Sequence, residues 1–195
     1  IWPAMLRSLI IALGAVILTM LLAIPLATRA GEAASLLGIS VSGLVVGTGL
    51  FLIVQPFARP SDVALPVTML VNVLMALPFV LRILRPSVQS AKSDFGRLGQ
   101  SLGLRGWSRW RVVYLPRLRR PMGFAAGLTG ALAIGDLGVI TLFSRPGEGT
   151  LPLVMYQLMG AYQMQAAAGA ALLLLVMALG IFWVCDKGGR WHAET

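Results

Sequence analysis

The sequence predicts an all-α polytopic membrane protein: five transmembrane helices, with a cytoplasmic helix-turn-helix loop between the third and the fourth. Three observations carry this expectation. Apolar residues make up 57% of the 195-residue chain and charged residues only 12%, about half the charged share of a soluble domain. Mean hydropathy is +0.84. Uncharged intervals that reach the roughly 20 residues needed to cross a hydrocarbon core recur along the chain, while one interval, 82–120, holds ten of the sixteen Lys and Arg residues.

The first span is expected at 8–28, with Pro25 kinking or ending it. The second lies in the glycine-rich interval 33–58, best at 41–54, and the third at 63–81, with Pro66 and Pro78 inside. The fourth covers 121–144 and is interrupted only by Asp136. The interval 149–185 is too long for one crossing. It divides into an outer helix at 151–162, opened by Leu151-Pro152 with proline near the first helical position, and a crossing helix at 165–184. Gly43 with Gly47, and Gly123 with Gly127, are spaced to let helix backbones approach closely.

The formal charge of +9 bears on orientation before it suggests nucleic acid, and no nucleic-acid partner is expected. With 82–120 inside, alternation also places Arg29, Lys187 and Arg190 inside, leaving Arg7, Arg59 and Arg145 outside. That asymmetry obeys the positive-inside rule and puts the N-terminus outside. The chain opens on Ile1 and runs into apolar sequence without a signal peptide's cleavage site. It reads as a fragment, the C-terminal part of something longer.

Several function classes are disfavoured. Cys185 and His192 are each the only residue of their kind, so neither an intrachain disulfide nor a His/Cys metal site is expected. The seven carboxylates are scattered and form no catalytic constellation. Lys92-Ser93 lacks the glycines of a phosphate-binding loop. We therefore expect no enzyme activity and no cofactor.

The segment 82–120 has helical periodicity. Phe95, Leu98 and Leu102 recur at i, i+3, i+7 and predict a short amphipathic helix at 93–102, ended by Gly103. Trp107, Trp110 and Tyr114 repeat the spacing and predict a second helix lying at headgroup level, with Arg105, Arg109 and Arg111 towards phosphate, stopped by Pro116. A polybasic segment that holds anionic lipid accounts for the arginines and tryptophans. It leaves the apolar face of Phe95, Leu98 and Leu102 without a role.

Gly103, followed after nine residues by Val113-Tyr114-Leu115-Pro116, resembles the "G-x9-I-x-L-P" half of the EAA loop of ABC importer permeases, and the frame 100–110, "QSLGLRGWSRW", fits it too. In that family the loop holds a coupling helix that sits in a groove of the cytoplasmic ATPase. The resemblance implies docking through Asp94, Phe95, Arg97, Leu98, Gln100, Ser101, Leu102 and Gly103. This sequence has Arg97-Leu98-Gly99 where Glu-Ala-Ala is usual. Downstream, 119–143 and 150–163 resemble the C-terminal half of the thiamine permeases of this class. That resemblance implies a fused permease with a homologous other half, a cytoplasmic ATP-binding subunit, a periplasmic substrate-binding protein near 151–162, and a place in a bacterial inner membrane. A permease for iron(III) or another small solute, and a non-transport membrane protein with a lipid-anchoring loop, remain as alternatives. A secondary transporter has thin support from one acidic residue.

Asp136 is the only carboxylate within a predicted span, about 22 Å along its helix from Pro121. An ionisable group at that depth faces the bundle interior or a water-filled path and is expected to be buried and partnered. It either draws a cationic solute along the path or holds a packing position between Gly135 and Gly138. Thr68 and Asn72 lie one turn apart in the third span and either line the same path or bond helix to helix.

Overall fold

A computed structural model of the chain describes residues 1–29, 42–101, 114–145 and 147–191. The described residues form seven α-helices and one 3-10 turn: α1 (Trp2–Arg29), α2 (Gly43–Val54), the turn Pro60–Val63, α3 (Ala64–Ser101), α4 (Leu115–Ile134), α5 (Gly138–Phe143), α6 (Leu151–Gly160) and α7 (Met164–Trp191). Four stretches among them are long and apolar enough to cross a membrane: Trp2–Ala27, Pro60–Asp94, Leu115–Phe143 and Met164–Arg190. The protein is thus an all-α polytopic membrane protein. The second expected span appears as the 12-residue apolar helix α2.

Small residues decide which face of α1 goes inward. Ala4, Ser8, Ala12, Ala15, Thr19 and Ala23 are all buried, whereas Ile10, Leu13, Ile17 and Leu21 point outward. Lipid tails are as apolar as leucine, so close backbone approach, not hydrophobicity, selects the packed face. Three clusters are stacked along α3. Val80, Leu81, Leu84 and Val88 meet Ala23, Leu118 and Ala125 at the cation-rich end. Val73 meets Ala12, Ala15, Ala133 and Ile134 midway. Ala64 and Val71 meet Val139, Ile140, Phe143 and Leu153 at the other end. There α2 leans on α5, with the Phe51 and Phe143 rings edge to face at 5.3 Å.

Two helix boundaries differ from expectation. Pro25 lies inside α1, which runs on to Arg29. The third span does not stop near residue 81, and 93–102 is not a separate short helix as far as Ser101: α3 is one 38-residue helix through Pro78 and Pro86. At 1.5 Å per residue it is about 57 Å long, nearly twice the hydrocarbon thickness. The physical reason is that Leu81, Leu84, Val88 and Ala91 keep a buried face going past the first arginine. A helix whose next turn still has packing partners can absorb an interior proline, which removes one hydrogen bond and crowds the preceding turn at a cost of about 3 kcal/mol. The fourth span begins at Leu115, with Pro116 in its first turn and Pro121 inside. Pro116 sits in the first turn of this helix, where a proline has no intrahelical bond to lose; the expected aromatic helix before it lies outside the described residues.

Cations gather at one end. Arg117 of α4 is ion-paired with Asp94 of α3 at 2.8 Å, Arg190 of α7 is paired with Asp186 at 2.7 Å, and the Lys187 ammonium lies 4.5 Å from the Trp183 ring centroid. At the other end Arg7 donates to the Gly147 carbonyl at 3.2 Å.

Candidate functional site

The fourth span is broken where its one acid stands. Helix α4 ends at Ile134, α5 begins at Gly138, and Gly135-Asp136-Leu137 lies between them. Glycine is the weakest non-proline helix former, and an aspartate side chain competes for nearby backbone donors. Here it does so: Asp136 Oδ1 accepts from the Gly138 N–H at 3.1 Å. That bond occupies one carboxylate oxygen.

The other oxygen is not so used. Asp136 Oδ2 is buried and has no hydrogen-bond partner at bonding distance. The same holds for Asn72 Nδ2 and Thr68 Oγ1. The Asn72 side chain is close enough to Asp136 to act on its carboxylate, although Nδ2 and Oδ2 fall short of a hydrogen bond to each other. Thr68, only 1% exposed, is one turn from Asn72 on the same face of α3. The structure therefore brings Asn72 to Asp136, with Thr68 one turn further along, and leaves an acceptor, a donor and a hydroxyl unmatched.

A second candidate region is the far end of α3. Asp94 is exposed and held by its neighbours: Arg117 donates to Oδ2 at 2.8 Å, Ser90 to Oδ2 at 3.3 Å and Ser93 to Oδ1 at 3.2 Å. Phe95, Arg97, Leu98, Gln100 and Ser101 continue α3 in helical backbone. Their side chains, together with Leu102 and Gly103 and the expected aromatic helix around Trp107 and Trp110, lie outside the described residues. Arg117, 23 residues from Asp94, was missed as its partner; no local pattern signals that pairing.

Around the outer helix, sequence reasoning missed a buried bond. The Leu151 N–H, in the first turn of α6, donates to Ser8 Oγ of α1 at 2.9 Å across 143 residues. Thr150, the N-cap residue, makes no side-chain cap bond. The first turn of α6 is buried, whereas Tyr156 and Tyr162 are exposed at its other end. Among the described residues no group of three or more His, Cys, Asp or Glu side chains is placed to hold a metal.

A broken membrane helix with an acid at the break, packed against a long helix that leaves the membrane on the cation-rich side, defines a polytopic protein with an interior polar site. No family model matches the sequence. Curated relatives do. The thiamine transport system permease protein of Brucella abortus (strain 2308) is 35% identical, covering 100% of this chain and 38% of the relative. That of Escherichia coli (strain K12) is 35% identical over 96% of this chain and 38% of the relative. A chloroplastic sulfate permease of Chlamydomonas reinhardtii is 31% identical over 60% of this chain. Over all or nearly all of its length the chain is thus similar to part of the thiamine transport system permeases. It spans 38% of the length of the Brucella relative it matches from end to end.

Proposed function

We propose that this chain is one half of the membrane permease of an ATP-driven importer in a bacterial inner membrane, and that its cargo is thiamine. The observation that carries this reading is similarity along the whole chain to proteins named for thiamine transport. The chain itself is not an enzyme; energy comes from a cytoplasmic ATP-binding subunit. That subunit docks on the segment from Asp94 to Gly103, at the end of the helix that outruns the membrane. A homologous second half completes the pathway, and a periplasmic binding protein delivers cargo near the exposed end of α6.

The polar cluster suits a cationic, hydrogen-bonding cargo. Thiamine carries a fixed positive charge on its thiazolium ring, together with an amino group and ring nitrogens that accept hydrogen bonds. Asp136 Oδ2, Asn72 Nδ2 and Thr68 Oγ1 supply a negative acceptor, a donor and a hydroxyl. These side chains line the pathway in this reading. Intramembrane acids are retained where transport needs them.

The docking assignment is tested by co-purification. The full-length permease carrying Phe95→Asp and Leu98→Asp is expected to insert in the membrane, lose its ATPase subunit and stop taking up thiamine. Unchanged association with unchanged uptake defeats the assignment. A wild-type complex that moves no thiamine defeats the cargo.

A further inference from the structure

Between α3 and α4, at the cation-rich end of the bundle, lies an open groove of about 560 Å³. Pro86, Ser87 and Ser90 form one wall, and Pro116, Arg117 and Arg120 the other. Its depth in the membrane follows from helix geometry. The uncharged part of α3 runs from Ala64 to Leu81, and Leu84, two residues past Arg82, lies about 30 Å along the helix from Ala64. That length matches the hydrocarbon core. Ser87 and Ser90 then lie about 5–9 Å beyond it, in the headgroup layer. On α4 the apolar run begins at Pro121, so Arg120 stands at its edge and Arg117 one turn outside. Both walls therefore present their polar groups at one level.

The lining groups share a chemistry. Two guanidiniums and two hydroxyls are hydrogen-bond donors, and among the described residues no carboxylate lines this groove. Asp94 stands nearby, bonded to Arg117 and Ser90, and fixes one side of the Arg117 fork. Arg120 also lines a second groove of about 430 Å³, with Pro121, Phe124, Asp186 and Arg190. Phe124, one turn deeper on α4, is 42% exposed. A ligand held by Arg120 thus meets donors on its outer side and an aromatic surface on its inner side. Arginine forks fit phosphate oxygens, and basic pockets between transmembrane helices on the cytoplasmic side suit anionic headgroups.

We propose that this groove binds the phosphodiester of an anionic phospholipid, with Arg120 as the principal contact, Ser87 and Ser90 as hydroxyl donors, and Phe124 against the acyl chain. The shared chemistry is phosphate. The headgroup depth and the adjoining apolar surface favour a lipid over a free anion. The site requires only that the bundle be embedded in a membrane, and does not depend on the cargo.

The test uses the full-length permease, with native mass spectrometry after exchange into phosphatidylglycerol or into phosphatidylcholine of the same acyl chains. Wild type is expected to retain phosphatidylglycerol preferentially. Arg120→Gln should lower that retention about fivefold and leave phosphatidylcholine unaffected, while Arg145→Gln at the opposite end changes neither. Ser87→Leu with Ser90→Leu fills the groove without changing charge and should give the same loss, which guards against misfolding of the arginine variant. Equal retention of the two lipids by wild type overturns the proposal, as does undiminished preference in both groove variants. Displacement of phosphatidylglycerol by millimolar inorganic phosphate overturns the lipid assignment in favour of a solute site.

Discussion

Adding one methyl group at Gly189 should force apart a close backbone contact between α4 and α7, whereas the same change at Gly188 should not. A Cβ built on Gly189 would lie 2.8 Å from the Arg119 carbonyl oxygen and 2.9 Å from the Gly123 Cα; one built on Gly123 would lie 2.7 Å from the Cys185 carbonyl oxygen and 2.8 Å from the Gly189 Cα. Carbon contacts settle near 3.5–4.0 Å, so α4 and α7 must separate by about 0.7–1 Å. The obstructing atoms are backbone and cannot rotate away. Separation on that scale forfeits about a quarter to a half of the dispersion energy of the contacts along the seam. Those contacts include the edge-to-face pair of Phe124 and Phe182, whose centroids are 5.5 Å apart. Overpacking of this kind costs about 1–3 kcal/mol. Alanine's better helix propensity offsets up to about 1 kcal/mol. With that offset in full, the net expectation for Gly189→Ala is destabilisation by up to about 2 kcal/mol. At Gly188 a Cβ meets nothing within 4 Å, so only the propensity gain remains. The assay is reversible unfolding of the purified protein in mixed detergent micelles, wild type against the two variants. Equal stability of Gly188→Ala and Gly189→Ala would refute the close-contact argument.

Two further changes probe polar groups. Ser8→Ala removes the acceptor for the buried Leu151 N–H and should cost about 1–3 kcal/mol, with faster amide exchange at the start of α6; unaltered stability and exchange would show that the bond carries no weight. At the helix break, Asp136→Asn keeps an oxygen for the Gly138 N–H, so the fold should persist while thiamine uptake falls. Asp136→Ala should in addition lose about 1 kcal/mol as a capping interaction does. Normal thiamine uptake by Asp136→Asn would remove charge attraction from the mechanism and leave Asp136 a packing residue.

Much of the fold was legible because it is a property of neighbouring residues. Long uncharged intervals located all four membrane-length stretches, and Pro152 marked the start of α6. The candidate site was legible in part. Asp136 stood out as the one acid in an uncharged run, and Thr68 and Asn72 as polar residues one turn apart. What could not be read was that Asn72 faces Asp136 from a different helix, or that Gly135-Asp136-Leu137 ends one helix and starts another. Helix ends were the weakest expectation for a related reason. Pro25, Pro78 and Pro86 are local stop signals, yet each sits inside a helix. The cost of an interior proline, about 3 kcal/mol, is outweighed by a buried face that continues on both sides.

The sequence by itself determined the membrane class, the approximate position of each apolar helix and the concentration of cations in one interval. Those follow from summed transfer energies over contiguous residues and a fixed rise per residue. The tertiary structure alone decided the partners: Arg117 for Asp94, Ser8 for Leu151, Gly189 for Gly123, and Asn72 beside Asp136. These contacts join residues from 23 to 143 positions apart. Each depends on how two helices cross, and a crossing is set by the shapes of both surfaces at once, which no single stretch of chain contains.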